Sequence, residues 1–527
     1  MAFRLTAFYR QNDGVVTDAN TGATYNDVAA YGFRGKLEWR LRDSVDLLLG
    51  IDAQRFDSNC CALPVRVAST NPIVPSTGIA VGPLNDVVAL GGTNVFAKQE
   101  NYGASLTANF GLGGYSLTYI GGAREWTAEG DFDVDSTPAH IVTSNFNAHD
   151  AKQMSHELRL ASPISGRADY VLGLFYFHTD VHQALDRRGT RINLITAINP
   201  DGTVQAPPGS ELALVADTTI KTQNVSVYAQ TNFRPVDRLT LTAGARFIAE
   251  KQDLEFVRPL PSPFYGLGTF GPVSADYSDD ATIVKAAARF DWTDSLGTYV
   301  SYSTGYKSEG VFNSPALTPA IFAAQPLKAE TSHLWEIGLR SQWLEKRLTL
   351  NLTGFLTKFE DYQQQAFDRA LGVFVVTNAG DIHTNGVELE FAYTPSDRLT
   401  ISGGVTFLDA GYDYSTGPCY AGQTAALGCT GGRQDLRRGS FVNAPDLRYT
   451  ILARYTQPLS AASQVYGQLD FRWQDEVQFA YDQDPRFIQQ AYGIADFKLG
   501  ASTAGGRYAV SAFVRNAFDK QYVSNVI

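Results

Sequence analysis

Seven histidines and four cysteines are the soft ligands and nucleophiles of this 527-residue chain. HTDVH places His178, Asp180 and His182 at alternate positions, so an extended segment would carry all three on one face at a spacing that could hold a metal. The plainer reading is three polar residues at the end of a strand, facing an aqueous lumen. DFDVDS (131–136) mimics the start of a calcium loop. Its sixth position is Ser136 and its twelfth Val142, where such a loop needs glycine and glutamate, so a solvated acidic loop is expected. YGLGTFG contains a formal Gly266-x-Gly268-x-x-Gly271. A dinucleotide fingerprint needs a strand before it and a helix after it, and here PVSADYSDD follows, which reads as loop. No Gly-x-Ser-x-Gly elbow occurs, and the histidines are scattered. We therefore assign no catalytic residue, no metal ligand and no cofactor, and expect no enzyme.

The elements that would position any site are two-faced strands. RPVDRLTLTAGARF (234–247) sets Leu239, Leu241, Ala243, Ala245 and Phe247 against Thr240, Thr242, Gly244 and Arg246. TPSDRLTISGGVTF (394–407) and EKRLTLNLTGF (345–355) repeat the design. GKLEWRL, NVSVYAQTNF and QVYGQLDFRW alternate in the same way, the period of a strand with one apolar and one polar face. The 47 glycines and the many tyrosines and phenylalanines agree with an all-β chain rich in turns. A formal charge of −11 argues against nucleic acid as a partner. No apolar run approaches the ~20 residues of a spanning helix.

Alternation alone does not separate a soluble sandwich from a membrane barrel, but connection lengths do. We count 19 candidate strands whose connections alternate between tight and long. The tight ones include Arg42–Ser44, Gly111–Gly114, Pro235–Asp237, Leu344–Lys346 and Pro395–Asp397; the long ones include 57–98, 180–220, 252–280, 307–330 and 411–442. Short periplasmic turns and long extracellular loops are the asymmetry of an outer-membrane up-and-down barrel. Trp39, Trp292 and Trp343 fall within a few residues of short turns, where an interfacial aromatic girdle would be. Barrel enzymes are the competing class, usually much smaller and with shorter loops. A closed antiparallel barrel needs an even strand number, so the odd count implies a polypeptide incomplete at its ends. MAFRLTAFYR puts Arg4 in a strand and has neither h-region nor cleavage site, so no signal peptide is expected.

Six stations in order resemble one family. They are SHELRLASP (155–163) followed by ADYVLGLFYF, then YAQTNFRPVDRLTLTAGARF, then STGYKSEGVFN (303–313) with ETSHLWEIGLRS (330–341), then NGVELEF (385–391), NAPDLRYT (443–450) and VRNAFDKQY (514–522). Together they are similar to the barrel portion of the TonB-dependent receptors of Gram-negative outer membranes. The resemblance implies a transmembrane antiparallel up-and-down barrel over 1–527, with about 19 of an expected 22 strands. Against the family pattern, the chain would lack the signal peptide, TonB box, plug domain, first two strands and last strand. The implied parent function is energy-coupled uptake of a scarce ligand, most often a ferric siderophore. Alternatives are another bulky solute, such as an oligosaccharide or cobalamin, and a non-functional fragment or passive pore. The implied partners are outer-membrane lipid and lipopolysaccharide, the extracellular ligand, and the TonB complex in an intact parent only.

The family binds ligand with aromatic, Arg and Gln side chains on outer loops and upper lumen. The matching candidates here are Tyr306, Lys307, Phe312, Tyr362, Gln363, Gln364, Gln365, Tyr412 and Tyr414. Four cysteines allow three pairings, and sequence alone does not choose among them. Cys419 and Cys429 bracket the Gly-rich loop CYAGQTAALGC, where a local disulfide fits an oxidising compartment; free loop thiols are the other reading. Purified protein should give a far-ultraviolet circular dichroism spectrum dominated by β-structure, and a mainly helical spectrum would refute the barrel.

Overall fold

The computed structural model describes residues 1–527 except 67–77, 83–84, 92–93, 165, 263–265, 312–313, 325, 369–372, 414–415, 438 and 525–527. One antiparallel sheet of 19 strands dominates it. The first strands are β1 (Ala2–Asn12), β2 (Val28–Arg42), β3 (Val45–Ser58), β4 (Phe96–Leu112), β5 (Tyr115–Asp131) and β6 (Val142–Ala161). The longest follow: β7 (Ala168–Thr190), β8 (Glu211–Phe233), β9 (Leu239–Arg258) and β10 (Phe270–Thr293). Next are β11 (Leu296–Lys307), β12 (Glu330–Trp343), β13 (Leu348–Glu360), β14 (Ile382–Ser396) and β15 (Leu399–Tyr412). The wall ends with β16 (Leu447–Ser460), β17 (Ser463–Gln474), β18 (Tyr492–Thr503) and β19 (Ala509–Val514). Each ladder joins sequence neighbours, so the sheet is a continuous meander. All residues of β1 and β19, at its two ends, are exposed.

The tight and long connections alternate without exception, from the two-residue turn at 43–44 to the long segments at 413–446 and 475–491. The strands run further than their hydrophobic pattern predicts. Residues 180–190, 211–220, 252–258 and 270–280, expected as loop, continue β7–β10 as paired hairpin arms. A membrane-spanning strand needs only about 9–11 residues, so these arms stand well clear of any bilayer. Backbone pairing carries them there, and Leu212, Leu214, Ala216, Leu254 and Phe256 are buried on their inner side.

Register aligns the faces across strands. Leu158, Leu174, Val227 and Phe247 form one row on β6–β9, each 42–57% exposed. Two residues higher lie His156, Tyr176 and Val225, with the Tyr119 hydroxyl 2.8 Å from His156 Nδ1 and Tyr176 stacked on the same ring. Four residues above that comes a row of alternating charge: Glu125, Lys152, Asp180, Lys221, Asp253. At the other end Trp39, Trp292 and Trp343 are about half exposed beside their short turns. The outer wall thus passes from one aromatic level through an apolar band to a second aromatic level and then to charge, the sequence of environments a bilayer presents.

This register corrects one expectation. His178, Asp180 and His182 share the face of Leu172, Leu174 and Tyr176, so they lie on the outer wall above the apolar band and not in the lumen. Pairing of β6 with β7 runs unbroken to Arg188, so side-chain parity never switches. Asp180 faces Lys221 across the ladder, and His182 Nε2 is 3.6 Å from Asp217.

On the inner face, tyrosines of the wall lie across glycines of neighbouring strands. Tyr228 lies over Gly173, Tyr299 over Gly338 and Tyr466 over Gly500, and a Cβ at any of these glycines would overlap the ring. The Tyr228 and Tyr299 hydroxyls then reach Glu157 and Glu336. Glycine weakens a strand by itself, and a ring laid across it restores the lost contact. Because the two faces meet different solvents, their tolerance of charge should differ. Val227→Arg is expected to lose about 2–4 kcal/mol, whereas Gln230→Arg on the inner face should change stability by less than ~1 kcal/mol. Denaturant unfolding from vesicles reads both.

Candidate functional site

The candidate site lies at the mouth, where the inner face of the wall meets the long connections. Asn224, Glu250 and Asp279 form one inward row on β8, β9 and β10, and Asn224 Nδ2 donates to Glu250 at 2.9 Å. Tyr306, at the top of β11, donates its hydroxyl to Asp279, and the Glu309 amide donates to the same carboxylate at 3.3 Å. Gln252 Nε2 ties Glu250 (3.0 Å) to Ser308 Oγ (3.2 Å). Burial, and then the Asp279 charge, holds the Glu309 carboxyl above its ordinary range. The result is an acceptor-rich collar inside the rim.

Gln363 pins this collar from beside the next loop. It is buried, its side-chain amide donates to Ser308 O (2.8 Å) and Lys328 O (3.0 Å), and its backbone N–H donates to Glu330 (2.8 Å). Gln364 is also buried, with Nε2 3.3 Å from the Tyr412 hydroxyl. Tyr412, only 2% exposed, packs with Ile382 and Leu436 in a small core whose flanks are Phe359, Tyr362, Phe441 and Tyr481. Tyr362 touches Phe359 and Phe441 edge-on, and burial followed by the Glu330 charge pushes its phenol up. Lys307 and Gln365 are exposed. Phe312 and Tyr414 lie outside the described residues. So Tyr306 and Gln363 meet in one network, Tyr362, Gln364 and Tyr412 in a second, and the exposed groups belong to Lys307 and Gln365.

Sequence reasoning missed Glu250, Gln252, Asp279 and Glu309. Glu250 shows its inward parity in the alternation of β9, but Gln252 and Asp279 fall in the stretch read as loop, Glu309 lies in the connection after β11, and their common height depends on register between strands. It also missed Arg258, 2% exposed, which donates to Gly268 O (2.8 Å), Pro315 O (3.1 Å) and Leu317 O (2.7 Å). A buried guanidinium bonded to three carbonyls fastens segment 259–269 to segment 308–329. Above it Phe256, Ala216 and Leu317 pack with Phe270, Val273, Ile321 and Phe322; the last two come from the short helix α1 (Pro319–Ala323) or its flank. Cys419 is bonded to Cys429, and Cys60 to Cys61.

The acidic segment 131–136 spends its carboxylates on its own backbone. Asp133 accepts from the N–H groups of Gly91, Asp135 and Ser136, and Asp135 from those of Thr137 and Val142. Burial raises both carboxyls, Asp133 to about 7 with help from the Asp135 charge, and Asp135 to about 6. The aspartates organise a loop, as Asx turns do, and Asp133 is fully buried where a solvated loop was expected. Among the described residues no group of three or more His, Cys, Asp or Glu has metal-holding geometry.

Comparison with known proteins places this architecture. A family model described as TonB dependent receptor-like, beta-barrel, matches residues 131–517. The ferric-pyoverdine M114 receptor PbuA of Pseudomonas sp. (strain M114) is 26% identical over 180 residues, 34% of this chain and 20% of that protein. The probable TonB-dependent siderophore receptor PiuA of Acinetobacter baumannii is 23% identical over 247 residues, 46% of this chain and 31% of its own length. This chain therefore aligns to less than a third of each of these two relatives. The crystal structure of the ferric yersiniabactin uptake receptor FyuA from Yersinia pestis shares the fold, with a TM-score of 0.75 at 16% identity, covering 99% of this chain and 71% of that one.

The collar analysis leads to one expectation. Gln363→Leu removes the donor from two carbonyls and should lower the stability of the mouth by about 1–3 kcal/mol. Faster proteolytic nicking within 308–329, with the wall intact, would show it; unchanged nicking would mean that the amide bears no such load.

Proposed function

The chain belongs to the TonB-dependent receptor family, and on that premise we propose that it forms the barrel domain, over 1–527, of an importer in the Gram-negative outer membrane. Members of this family are receptors and transporters and not enzymes, and their barrels are outer-membrane proteins. The cargo we propose is a ferric siderophore, captured at the extracellular mouth. The observation that carries this reading is the mouth itself: a polar, acceptor-rich inner collar with exposed donors beside it, above a wall whose outer face is apolar. The relatives' names, a ferric-pyoverdine receptor and a siderophore receptor, support the same cargo class.

In this reading Lys307 and Gln365 contact the cargo directly, because their polar ends are exposed and a ferric siderophore offers carbonyl, hydroxamate or catecholate oxygens to donors. Tyr306 and Tyr362 offer ring edges at the rim; Phe312 and Tyr414 are proposed as ligand contacts from the family pattern alone. Gln363, Gln364 and Tyr412 serve as positioning residues that hold the collar and the aromatic core beneath it. Energy would come through the TonB complex in an intact parent, and lipopolysaccharide would surround the wall at the level of the charged row. An oligosaccharide or cobalamin importer, or a passive pore, would use the same wall with a different mouth.

Quenching of intrinsic tryptophan fluorescence by ferric pyoverdine and by ferric yersiniabactin, titrated into the detergent-purified chain, tests the cargo class. Saturable quenching is expected with at least one of them. Lys307→Ala with Gln365→Ala should weaken it by about 5–20-fold, the range for losing one or two ligand hydrogen bonds. No saturable quenching, together with ohmic conductance in a planar bilayer, would replace this reading by the passive pore.

A further inference from the structure

A pocket of about 370 Å³ opens on the inner face of β1–β3, lined by Arg4, Thr6, Phe8, Arg34, Lys36 and Gln54. Register brings these side chains together. Arg4 stands opposite Lys36 and Thr6 opposite Arg34, with Asp52 on the far side of Arg34. The residues that alternate with them, Leu5, Phe33 and Ile51, point the other way and are 44–70% exposed. The pocket therefore faces the lumen at the depth of the apolar band. Phe8 closes its upper end, with its ring 2.8 Å from where a Cβ on Gly32 would stand.

The positive charge here is uncompensated, and the cause is local. Two carboxylates share this face of β2 and β3, Glu38 and Asp52. Glu38 accepts from Arg40 Nε at 3.1 Å. Asp52 accepts from Arg124, whose two terminal nitrogens reach its two oxygens at 3.1 and 3.2 Å as a fork. Arg124 comes from β5, two strands away, and crosses β4 at Gly103, where a Cβ would stand 2.6 Å from the guanidinium. Glycine at that crossing lets Arg124 take the carboxylate that register places beside Arg34. Among the described residues no ion pair reaches Arg4, Arg34 or Lys36, and all three are exposed.

Like charges directly opposite on a ladder repel, and a cavity with low-dielectric walls concentrates the field of several together. Three such cations are stabilised by an anion placed between them. We propose that Arg4, Arg34 and Lys36 form a binding site for a multivalent oxyanion, a small molecule carrying two or more phosphates or carboxylates, with Thr6 and Gln54 as neutral donors. Two guanidinium forks and an ammonium match paired oxygens, whereas a single negative charge satisfies only one of the three. The anion arrives free or as an acidic arm of the cargo, and the recognition chemistry is the same. The site itself does not depend on the cargo class proposed above.

The test is isothermal titration of sodium pyrophosphate into the full chain, purified in non-ionic detergent at low salt. Saturable one-to-one binding is expected. Arg34→Gln with Lys36→Gln should weaken it by about tenfold or more, the effect of losing charge-assisted hydrogen bonds. Arg124→Gln leaves the three cations in place but frees Asp52 to neutralise Arg34, so it should weaken binding by about threefold or more. Lys285→Gln removes an exposed lysine on the inner face of β10, outside the pocket, and should leave affinity within about twofold. Absence of saturable binding by the unaltered chain would overturn the proposal. So would unchanged affinity in the double variant, or equal weakening by Lys285→Gln, which would mean a diffuse positive field and no site. Repeating the titration with ferric yersiniabactin present separates the two sources: competition assigns the anion to an arm of the cargo, independent binding assigns it to a free solute, and either keeps the site. If neither siderophore quenches fluorescence while pyrophosphate binds, the cargo reading falls and this site stands.

Discussion

In hydrocarbon a backbone N–H or C=O without a partner costs several kcal/mol, because no water is there to replace it. That penalty governs this molecule. It requires each spanning segment to find its partner in a neighbouring strand, which is why the chain folds as a meander of ladders and not as a collection of loops. The same pairing sets the register, and register decides which side chains share a height and a face. The apolar row through Leu174 and Val227, the aromatic level at His156 and Tyr176, and the charged row at Lys152 and Lys221 all follow from one set of ladders.

A wall built this way has no conventional core, so small and large residues settle its packing locally. Tyrosines laid over glycines stiffen the inner face and aim hydroxyls at Glu157 and Glu336. Apolar burial appears instead above the wall, in small clusters such as Ile382, Tyr412 and Leu436. These clusters hold the rim still, and Arg258 and Gln363 fasten one loop to the next through carbonyl oxygens. The mouth is thus shaped by buried polar side chains acting as ties, which leaves a few exposed groups to meet whatever arrives.

Much of the wall was legible beforehand. Alternation in NVSVYAQTNF and RLTLTAGARF told lipid side from lumen side, and Asp-bearing tight turns separated one end of the wall from the other. The failures have physical causes. VLGLFYF is apolar on both faces, with Phe175 lying inside against Arg246, so the segment alone does not tell which face of HTDVH points outward. The arms above the apolar band bury Leu214, Ala216 and Phe256 against the loop residues Leu267, Ala316 and Leu317, a partnership between distant segments that local alternation does not show. In the Gln363–Gln365 run, three identical side chains have different surroundings, two buried and one exposed.

By itself, the sequence determined the architecture: where the two-faced strands lie, how many of them the wall has, and which turns are short. Those features follow from local periodicity and turn chemistry, which a dozen neighbouring residues suffice to express. Only the tertiary structure decided the contents of the mouth. Those depend on which residue of one strand stands beside which residue of the next, a relation between segments up to a hundred residues apart that is settled when the ladders close.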